Sequence, residues 1–525
     1  MRTKILTAAE MKAVDQNAVS LGMSPLQLME NAGSAVADAV LSGFKSSGDF
    51  ETVWFFAGLG NNGGDTFVAA RRLADKNISS VVFLLGSADK IKTAESAANY
   101  ALLKKVSSIA VVEIADISEL SAAIQAFSNP VCIVDGIFGT GFSGHSKGLE
   151  KAAIEQMNHL KAQSPDIFVL SVDLPSGLSA ENGGFAHETI VEADATVTFH
   201  KMKSFLEDAA PAGKIHVAPI GIPDSAENFV GIGDLSLLFR RSRLSKKGDS
   251  GKVLVIAGGA YAGAPALAGM AALRIGADIV TIASPNSVYD AVSSFAPELI
   301  VKKLKGDILS DGDVPFLTEL IEAHDSVVIG PGFGTAPESL AAAAKLIPYM
   351  KKAVIDADAL RPEILEALKS ASLTFSFILT PHYNEFLRIA SHCGIVLPPS
   401  RADISAEELE NAAAIVSRQL NAVILLKGPI DLISNGTTEE SRYSAAGNAG
   451  MSVGGTGDVL AGIVGGLLSK NTPSLSACCG AFICGSAGDS VFSAKGNSLI
   501  PSDILEEIPS VLGIKSRKSE KSGRK

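Results

Sequence analysis

The sequence predicts an α/β protein of two domains, each built on a doubly wound parallel sheet. Three observations carry this expectation. The chain has 525 residues, more than one ordinary domain holds. Two separate series of apolar strand, glycine-rich loop and helix run along it. Fifty glycines beside a single Trp suit tight strand–helix turns, and 47% hydrophobic against 19% charged residues can fill large cores.

Taken in order, a helical arm over about residues 7–45 precedes the first series. The run Thr52–Gly58 reads as a strand, Leu59–Asp65 as a glycine loop and the stretch through Arg71 and Arg72 as a helix. Strands follow at Val81–Leu85, Val131–Val134, Ile167–Val172 and Ala195–Phe199, with helical stretches such as Lys92–Lys105 and Gly148–His159 between them. The motif-poor stretch 219–245 marks the boundary. A second series opens at Lys246 and continues with strands at Val253–Gly258, Ile279–Ile282, Ser326–Ile329, Ala353–Ile355, Phe377–Leu379 and Val423–Leu426. The expected domains are 1–228 and 234–514. The halves share architecture without a sequence repeat, which favours fusion of unrelated domains.

A net charge of −11 disfavours a nucleic-acid surface. The tail 515–525 has six basic residues and one acidic and reads as a disordered, solubilising end. The five cysteines show no metal-ligand spacing and fit a reduced, cytoplasmic protein. No signal-peptide core opens the chain and no uninterrupted apolar run reaches about 18 residues, so no membrane partner is expected. A homo-oligomer is expected.

In the first half three strands deliver oxygen-bearing side chains to one sheet edge, where open α/β sheets bind ligands. Asn61, Asn62, Gly63, Gly64 and Asp65 follow the first strand. Asp135 precedes the loop Gly136–Gly144, and Asp173 and Ser176 lie in Asp173-Leu-Pro-Ser-Gly177. Hard oxygen ligands suit a cation, or a ribose and pyrophosphate. The G-x-G-x-x-G fingerprint with its downstream acid is missing, which disfavours a hydride-transferring dinucleotide site.

Asn61–Asp65, Val134-Asp-Gly-Ile-Phe-Gly-Thr-Gly141, Val172-Asp-Leu-Pro-Ser-Gly177 and Thr198-Phe-His-Lys201 resemble the NAD(P)H-hydrate epimerase family over about residues 5–225. The resemblance implies a Rossmann-like domain that binds K⁺ through Asn62, Asp135 and Ser176. It places the hydrated cofactor against Asn61–Asp65, Asp173 and the loop Gly139, Thr140, Gly141, Phe142, Ser143, Gly144 and His145. The family's F-x-x-P-K-P-G is here Phe199-His-Lys-Met-Lys-Ser-Phe205, which leaves the role of Lys203 open.

In the second half Gly450-Met-Ser-Val-Gly-Gly-Thr-Gly-Asp458 runs into an apolar helix through Leu468. Such a turn offers backbone N–H groups to phosphate oxygens at a positive helix end. A carboxylate at that place, Asp458, suits proton abstraction from an attacking hydroxyl. Gly258–Pro265, Gly330–Gly334, Thr380–Glu385 and Lys427–Asp431 supply further loops after strands. Their order, with Lys247-Gly-Asp-Ser-Gly-Lys-Val-Leu-Val-Ile256, resembles the ribokinase-like NAD(P)H-hydrate dehydratase family over about 240–512. By that resemblance Ala264, Gly334, His382 and Asp458 face the hydrated nucleotide. Lys427, Gly428, Pro429, Ile430 and Asp431 surround the phosphate donor, together with Asn448, Ala449, Gly450, Met451, Ser452, Val453, Gly454, Gly455, Thr456 and Gly457. Many members have Thr where Asp431 stands. The implied donor is ADP with Mg²⁺.

The resemblances imply a bifunctional repair enzyme for NADH or NADPH hydrated at C6 of the ring. One domain interconverts the R and S hydrates, with Asp173 as an acid/base candidate; the other uses ADP to dehydrate the S form, with Asp458 as base. A vitamin-alcohol kinase of the same fold stays open for the second half, and a non-catalytic ligand-binding module for the first.

Overall fold

The computed structural model describes the chain except residues 1–4, 44–51, 143, 179–188, 372–375, 438–439 and 514–525. The Ser143 site and the basic tail 515–525 therefore lie outside the described residues. The described chain forms two compact units divided between Ala226 and Glu227.

The first unit opens with α1 (Ala8–Ser20), started by a Thr7–Glu10 capping box, and α2 (Pro25–Gly43). Its strands are β1 (Thr52–Ala57), β2 (Ser79–Leu85), β3 (Ile109–Ile114), β4 (Cys132–Gly136), β5 (Phe168–Val172), β6 (Ala195–Phe199) and β7 (Lys214–Ala218). Helices α3 (Asn61–Ala74), α4 (Ala94–Leu103), α5 (Ile117–Gln125) and α6 (Gly148–Gln163) connect them. The sheet order is β3-β2-β1-β4-β5-β6-β7, and all its pairings are parallel. β1 explains the layering: successive strand side chains point to opposite faces. Val53, Phe55 and Ala57 pack with α1–α4, and Trp54 and Phe56 with α5 and α6. Both faces are covered, hence the continuous apolar run.

One expected loop is not a loop. Asn61–Asp65 are the first residues of α3, not a connection before it. A Cβ on Gly63 would lie 1.9 Å from the Gly58 carbonyl oxygen, so Gly63 serves close approach of the helix to the end of β1. β3, α5 and β7 also escape the sequence reading. β7 is a half-exposed edge strand with little apolar signal, Lys-Ile-His-Val-Ala.

A single turn, α7 (Ser225–Asn228), spans the boundary. The second unit's strands are β8 (Lys252–Ile256), β9 (Ile279–Ser284), β10 (Ile300–Lys303), β11 (Ser326–Ile329), β12 (Ala353–Ile355), β13 (Phe377–Leu379), β14 (Ala422–Leu426), β15 (Asp431–Ser434) and β16 (Arg442–Ser444), in the order β10-β9-β8-β11-β12-β13-β14-β15-β16. Helices α8 (Gly263–Arg274), α9 (Asn286–Phe295), α15 (Thr456–Leu468), α16 (Pro473–Lys495) and α17 (Pro501–Val511) cover one face. The other is covered by α10 (Val314–Glu322), α11 (Pro337–Leu346), α12 (Pro362–Ser370), α13 (Tyr383–His392) and α14 (Ala406–Leu420). The parallel expectation holds through β14, whereas β15 and β16 pair antiparallel. The turn 427–430 makes the reversal: Asp431 Oδ1 accepts from Gly428 N at 2.9 Å. Segment 229–234 is tied to β16 by Val230 N donating to Tyr443 O and by the Arg442–Asp234 ion pair at 2.9 Å.

The segment Pro473–Ser498 is long and apolar enough to cross a membrane by length and composition. It comprises α16 and the turn after it, and α16 packs into the core against α15 and α17. Each sheet has a switch point where the chain turns from one side to the other, β1/β4 and β8/β11. Ligand crevices form there, outside the carboxyl ends of the strands.

Candidate functional site

In the first unit the β1/β4 crevice gathers oxygen atoms. Asp135 is 0% exposed at the end of β4. Its carboxylate accepts from Ser176 N at 2.8 Å, Ser176 Oγ at 2.5 Å, Ser171 Oγ at 2.9 Å and Ile137 N at 3.3 Å. Burial pushes this carboxyl above the usual range, against the pull of those hydrogen bonds. Asn62, in the first turn of α3, donates Nδ2 to Phe138 O at 2.6 Å and Val172 O at 2.7 Å. Ser176 thus contacts Asp135 directly, and Asn62 reaches the same loop through Phe138, whose N–H donates to Ser176 Oγ at 2.9 Å. Among the described residues Asp135 is met by hydroxyls and backbone N–H groups and by no lysine or arginine, and the carboxylate, hydroxyl and carbonyl oxygens gathered in this crevice are donors of the kind a hard cation takes.

Beside it lies a second cluster. Asp173 holds a left-handed backbone, φ 65°, which is rare for a residue with a Cβ. Its carboxylate accepts from Thr140 N at 3.2 Å and Thr198 Oγ1 at 3.3 Å, and pairs with Lys203 Nζ at 3.1 Å. Lys203 is 1% exposed and also donates to Thr198 Oγ1 at 2.7 Å and Phe199 O at 2.8 Å. Leu6 pairs with this segment, so the start of the α1 arm borders the cluster. Asp15 on α1 is raised to about 6 by burial and by Asp173, with Lys203 and His200 opposing. Asp65 is held well above the carboxylate range by burial, then by Asp173 and Asp15. Asp173, proposed as acid/base from sequence, is thus the ion-paired member, while Asp15 and Asp65 are the carboxyls whose environment favours keeping a proton. Sequence reasoning left Lys203 without a role and missed Asp15. No motif marks Asp15, which lies over 150 residues from Asp173 in the chain.

Of the other residues expected in this site, Gly63 and Gly64 are buried in α3, against Gly58 and Met29. Asn61 Oδ1 accepts from Thr93 Oγ1 at 2.7 Å, and Phe142 stacks on Phe138 with ring centres 4.0 Å apart. Gly141, Gly144 and His145 are exposed.

In the second unit the β8/β11 crevice is bordered by the first turn of α8, which holds Ala264, and by the loop after β11, which holds Gly334. Gly334 N donates to Asp358 Oδ2 at 2.8 Å. Asp356, at the end of β12 and 1% exposed, accepts from Thr380 Oγ1 at 2.7 Å and Lys427 Nζ at 3.1 Å. The Lys427 amine also stands 3.5 Å from where a Cβ on Gly457 would lie, at the mouth of α15. Burial alone would lower its pKa, yet Asp356, Glu385 and Asp458 together raise it. Asp458 sits in the first turn of α15, whose leading N–H groups lack intrahelical partners. Its carboxyl is pushed up to about 7, first by burial and then by Asp356 and Asp358, with Lys427 opposing. Lysine and carboxyl therefore stand together at a helix N-terminus. Asp356 and Asp358 are the functional neighbours that sequence reading missed; the run Ile355-Asp-Ala-Asp358 was the available signal.

Several of the remaining residues expected around the donor and the hydrate have partners within the fold. Asp431 is raised to about 6 by burial and its Oδ1 is engaged by its own turn, so that atom is committed to the hairpin. Met451 packs its sulfur against α16 at Gly488, and Asn448 Nδ2 donates to Asp489 Oδ1 at 2.8 Å, so both side chains turn toward α16. Ser452, Val453 and Gly454 are exposed, and Gly455, φ 102°, caps α15. His382 is the N-cap of α13; its Nδ1 accepts from Glu385 N at a long 3.4 Å, and its side chain is 53% exposed. His382 also bridges to Lys427 through the backbone. We expect His382→Ala to lower stability by about 0.5–1 kcal/mol, the low end for an N-cap. Calorimetry, read beside the KM for the hydrate, separates this small cap loss from a larger loss of ligand binding.

Two α/β units, one with an oxygen-lined acidic crevice and one with a carboxylate and a lysine at a helix mouth, make a two-domain α/β protein with a separate candidate site in each unit. Residues 25–205 match the model of the YjeF-related protein N-terminus, and residues 253–510 that of NAD(P)H-hydrate dehydratase. The chain is 38% identical to the bifunctional NAD(P)H-hydrate repair enzyme of Methanocaldococcus jannaschii over 97% of this chain and 94% of that protein. It is 39% identical to the enzyme of the same name from Methanothermobacter thermautotrophicus, over 97% and 95%. Among solved structures it is similar to the Bacillus subtilis ADP/ATP-dependent NAD(P)H-hydrate dehydratase co-crystallized with ATP/Mg²⁺, at 23% identity and TM-score 0.45, covering 54% of this chain and 97% of that one. The chain belongs to the family of bifunctional NAD(P)H-hydrate repair enzymes. Its first unit is the epimerase half and its second the dehydratase half.

Proposed function

We propose that the second unit restores NAD(P)H from the S hydrate by phosphoryl transfer from ADP, with Asp458 as the base. The observation that carries this is a carboxyl pushed up to about 7 beside Lys427 at the mouth of α15. Hydroxide is a poor leaving group and phosphate a good one. Asp458 takes the C6 hydroxyl proton as that oxygen attacks the terminal phosphorus of ADP, and AMP departs. The N–H groups at the start of α15 and the Lys427 amine hold the transferring charge. The ring nitrogen's lone pair then expels phosphate, and loss of a C5 proton restores the dihydropyridine. Mg²⁺, where it accompanies the ADP, would offset the charge of the phosphates held near Lys427 and the start of α15. The assay is recovery of dihydropyridine absorbance from pure S hydrate with ADP; a stable phosphorylated product without that recovery would instead indicate a kinase.

In the first unit, K⁺ would be held by Asn62, Asp135 and Ser176, with the Phe138 and Val172 carbonyls beside them. It would supply positive charge beside a buried carboxylate that meets no lysine or arginine among the described residues. Asp173, paired with Lys203, would orient the hydrated ring, and Asp65 and Asp15 would serve as the groups that protonate the leaving C6 hydroxyl and take the proton back. Asp135→Ala should cut epimerisation at least about tenfold and abolish its response to K⁺. Dehydration of pure S hydrate should be unchanged, and its loss would refute the two-site assignment. Free, buried cysteines suit a reducing compartment, and we place the enzyme in the cytoplasm.

A further inference from the structure

We infer that Asp489 on α16 fixes the loop that receives the phosphoryl donor, as a positioning residue that does not touch it. This rests on the reading of Asn448–Gly457 as the donor site. Asp489 Oδ2 accepts from Gly447 N at 2.9 Å and Oδ1 from Asn448 Nδ2 at 2.8 Å, while Asn448 Oδ1 accepts from Gly450 N at 3.0 Å. One carboxylate thus anchors Gly447 and Asn448 directly, and Gly450 through the Asn448 amide.

The surrounding face of α16 is shaped to the same segment. A Cβ on Gly485 would lie 2.3 Å from Ala446 O, one on Gly488 2.2 Å from Met451 Sδ, and one on Gly450 2.7 Å from the Phe492 ring. Residues 485, 488, 489 and 492 share one helix face by their spacing of three and four. The loop leads from this notch into Gly455 and the first turn of α15. The grip therefore sets the register of both the phosphate-facing N–H groups and Asp458. It also reassigns Asn448: its amide is spent on the anchor, and the ligand-facing donors are those nearer Gly454–Gly457.

The test compares wild type, Asp489→Asn, and the exchanged pair Asn448→Asp with Asp489→Asn. In Asp489→Asn the new amide and the Asn448 amide both offer donors, which breaks the anchor without changing shape. The KM for ADP should rise about tenfold, with a smaller change in the KM for S hydrate and unaltered epimerisation. The exchanged pair can remake all three hydrogen bonds and should return the ADP KM to within about threefold of wild type. An unchanged ADP KM in Asp489→Asn, or an exchanged pair as weak as the single variant, overturns the inference. Calorimetric titration of wild type with ADP separates the two layers: absence of binding there defeats the donor-site reading itself, whereas equal binding by wild type and Asp489→Asn defeats only the role of Asp489.

Discussion

Asp458→Asn lowers dehydration of the S hydrate by about 10²–10⁴, the usual worth of a positioned general base, and at the same time makes the second unit more stable above neutral pH. The two effects share one cause. Burial, with Asp356 and Asp358 nearby, moves this carboxyl from about 3.8 to about 7. A carboxyl that binds its proton more tightly folded than unfolded loses native-state stability as pH rises between those values. Replacing it by a neutral isostere removes that penalty, so the melting temperature should rise at pH 8 and stay near wild type at pH 4. In wild type, turnover should climb with pH through about 7 and then level, because the base acts only when ionised. A stability gain without loss of turnover would remove Asp458 from the chemistry. Loss of turnover in a variant less stable at pH 8 would contradict the burial argument.

Lys203→Met destabilises the first unit by about 3–5 kcal/mol, the cost of leaving a buried charge without its partner. Asp173 would then keep the neutral donors Thr140 N and Thr198 Oγ1, in a buried setting beside the carboxyls of Asp15 and Asp65. The chain has a single Trp, and Trp54 is fully buried in β1, so its emission during denaturant unfolding reports on this unit. Adding Asp173→Asn should recover a substantial part of the loss, since the pair then disappears together. A Lys203→Met variant with an unshifted Trp54 midpoint would show that the pair contributes nothing to stability.

The sequence by itself determined the architecture and most of the site's vocabulary. Strands buried on both faces need unbroken apolar runs, so β1, β4, β8 and β14 stand out, and glycine-rich segments following strands point to the carboxyl edge of a parallel sheet. Asn62, Asp135, Ser176 and Asp458 were legible for that reason. β7, β10, β15 and β16 were not, because short or half-exposed strands carry little apolar signal; their place is set by the neighbour they pair with. Asn61–Asp65 read as a loop because glycines disfavour helices in isolation. Only the approach of α3 to Gly58 shows why they are tolerated in one.

Charge states were decided by the tertiary structure alone. Asp15 becomes part of the first site because α1 folds back beside Lys203. Asp356 meets Lys427 across 71 residues of chain, and Asp489 reaches the loop from a helix that follows it. Spacing in sequence can nominate a carboxylate. Whether it keeps its proton, pairs with a lysine or grips a loop depends on burial and on groups brought near from elsewhere in the chain, and folding alone supplies both.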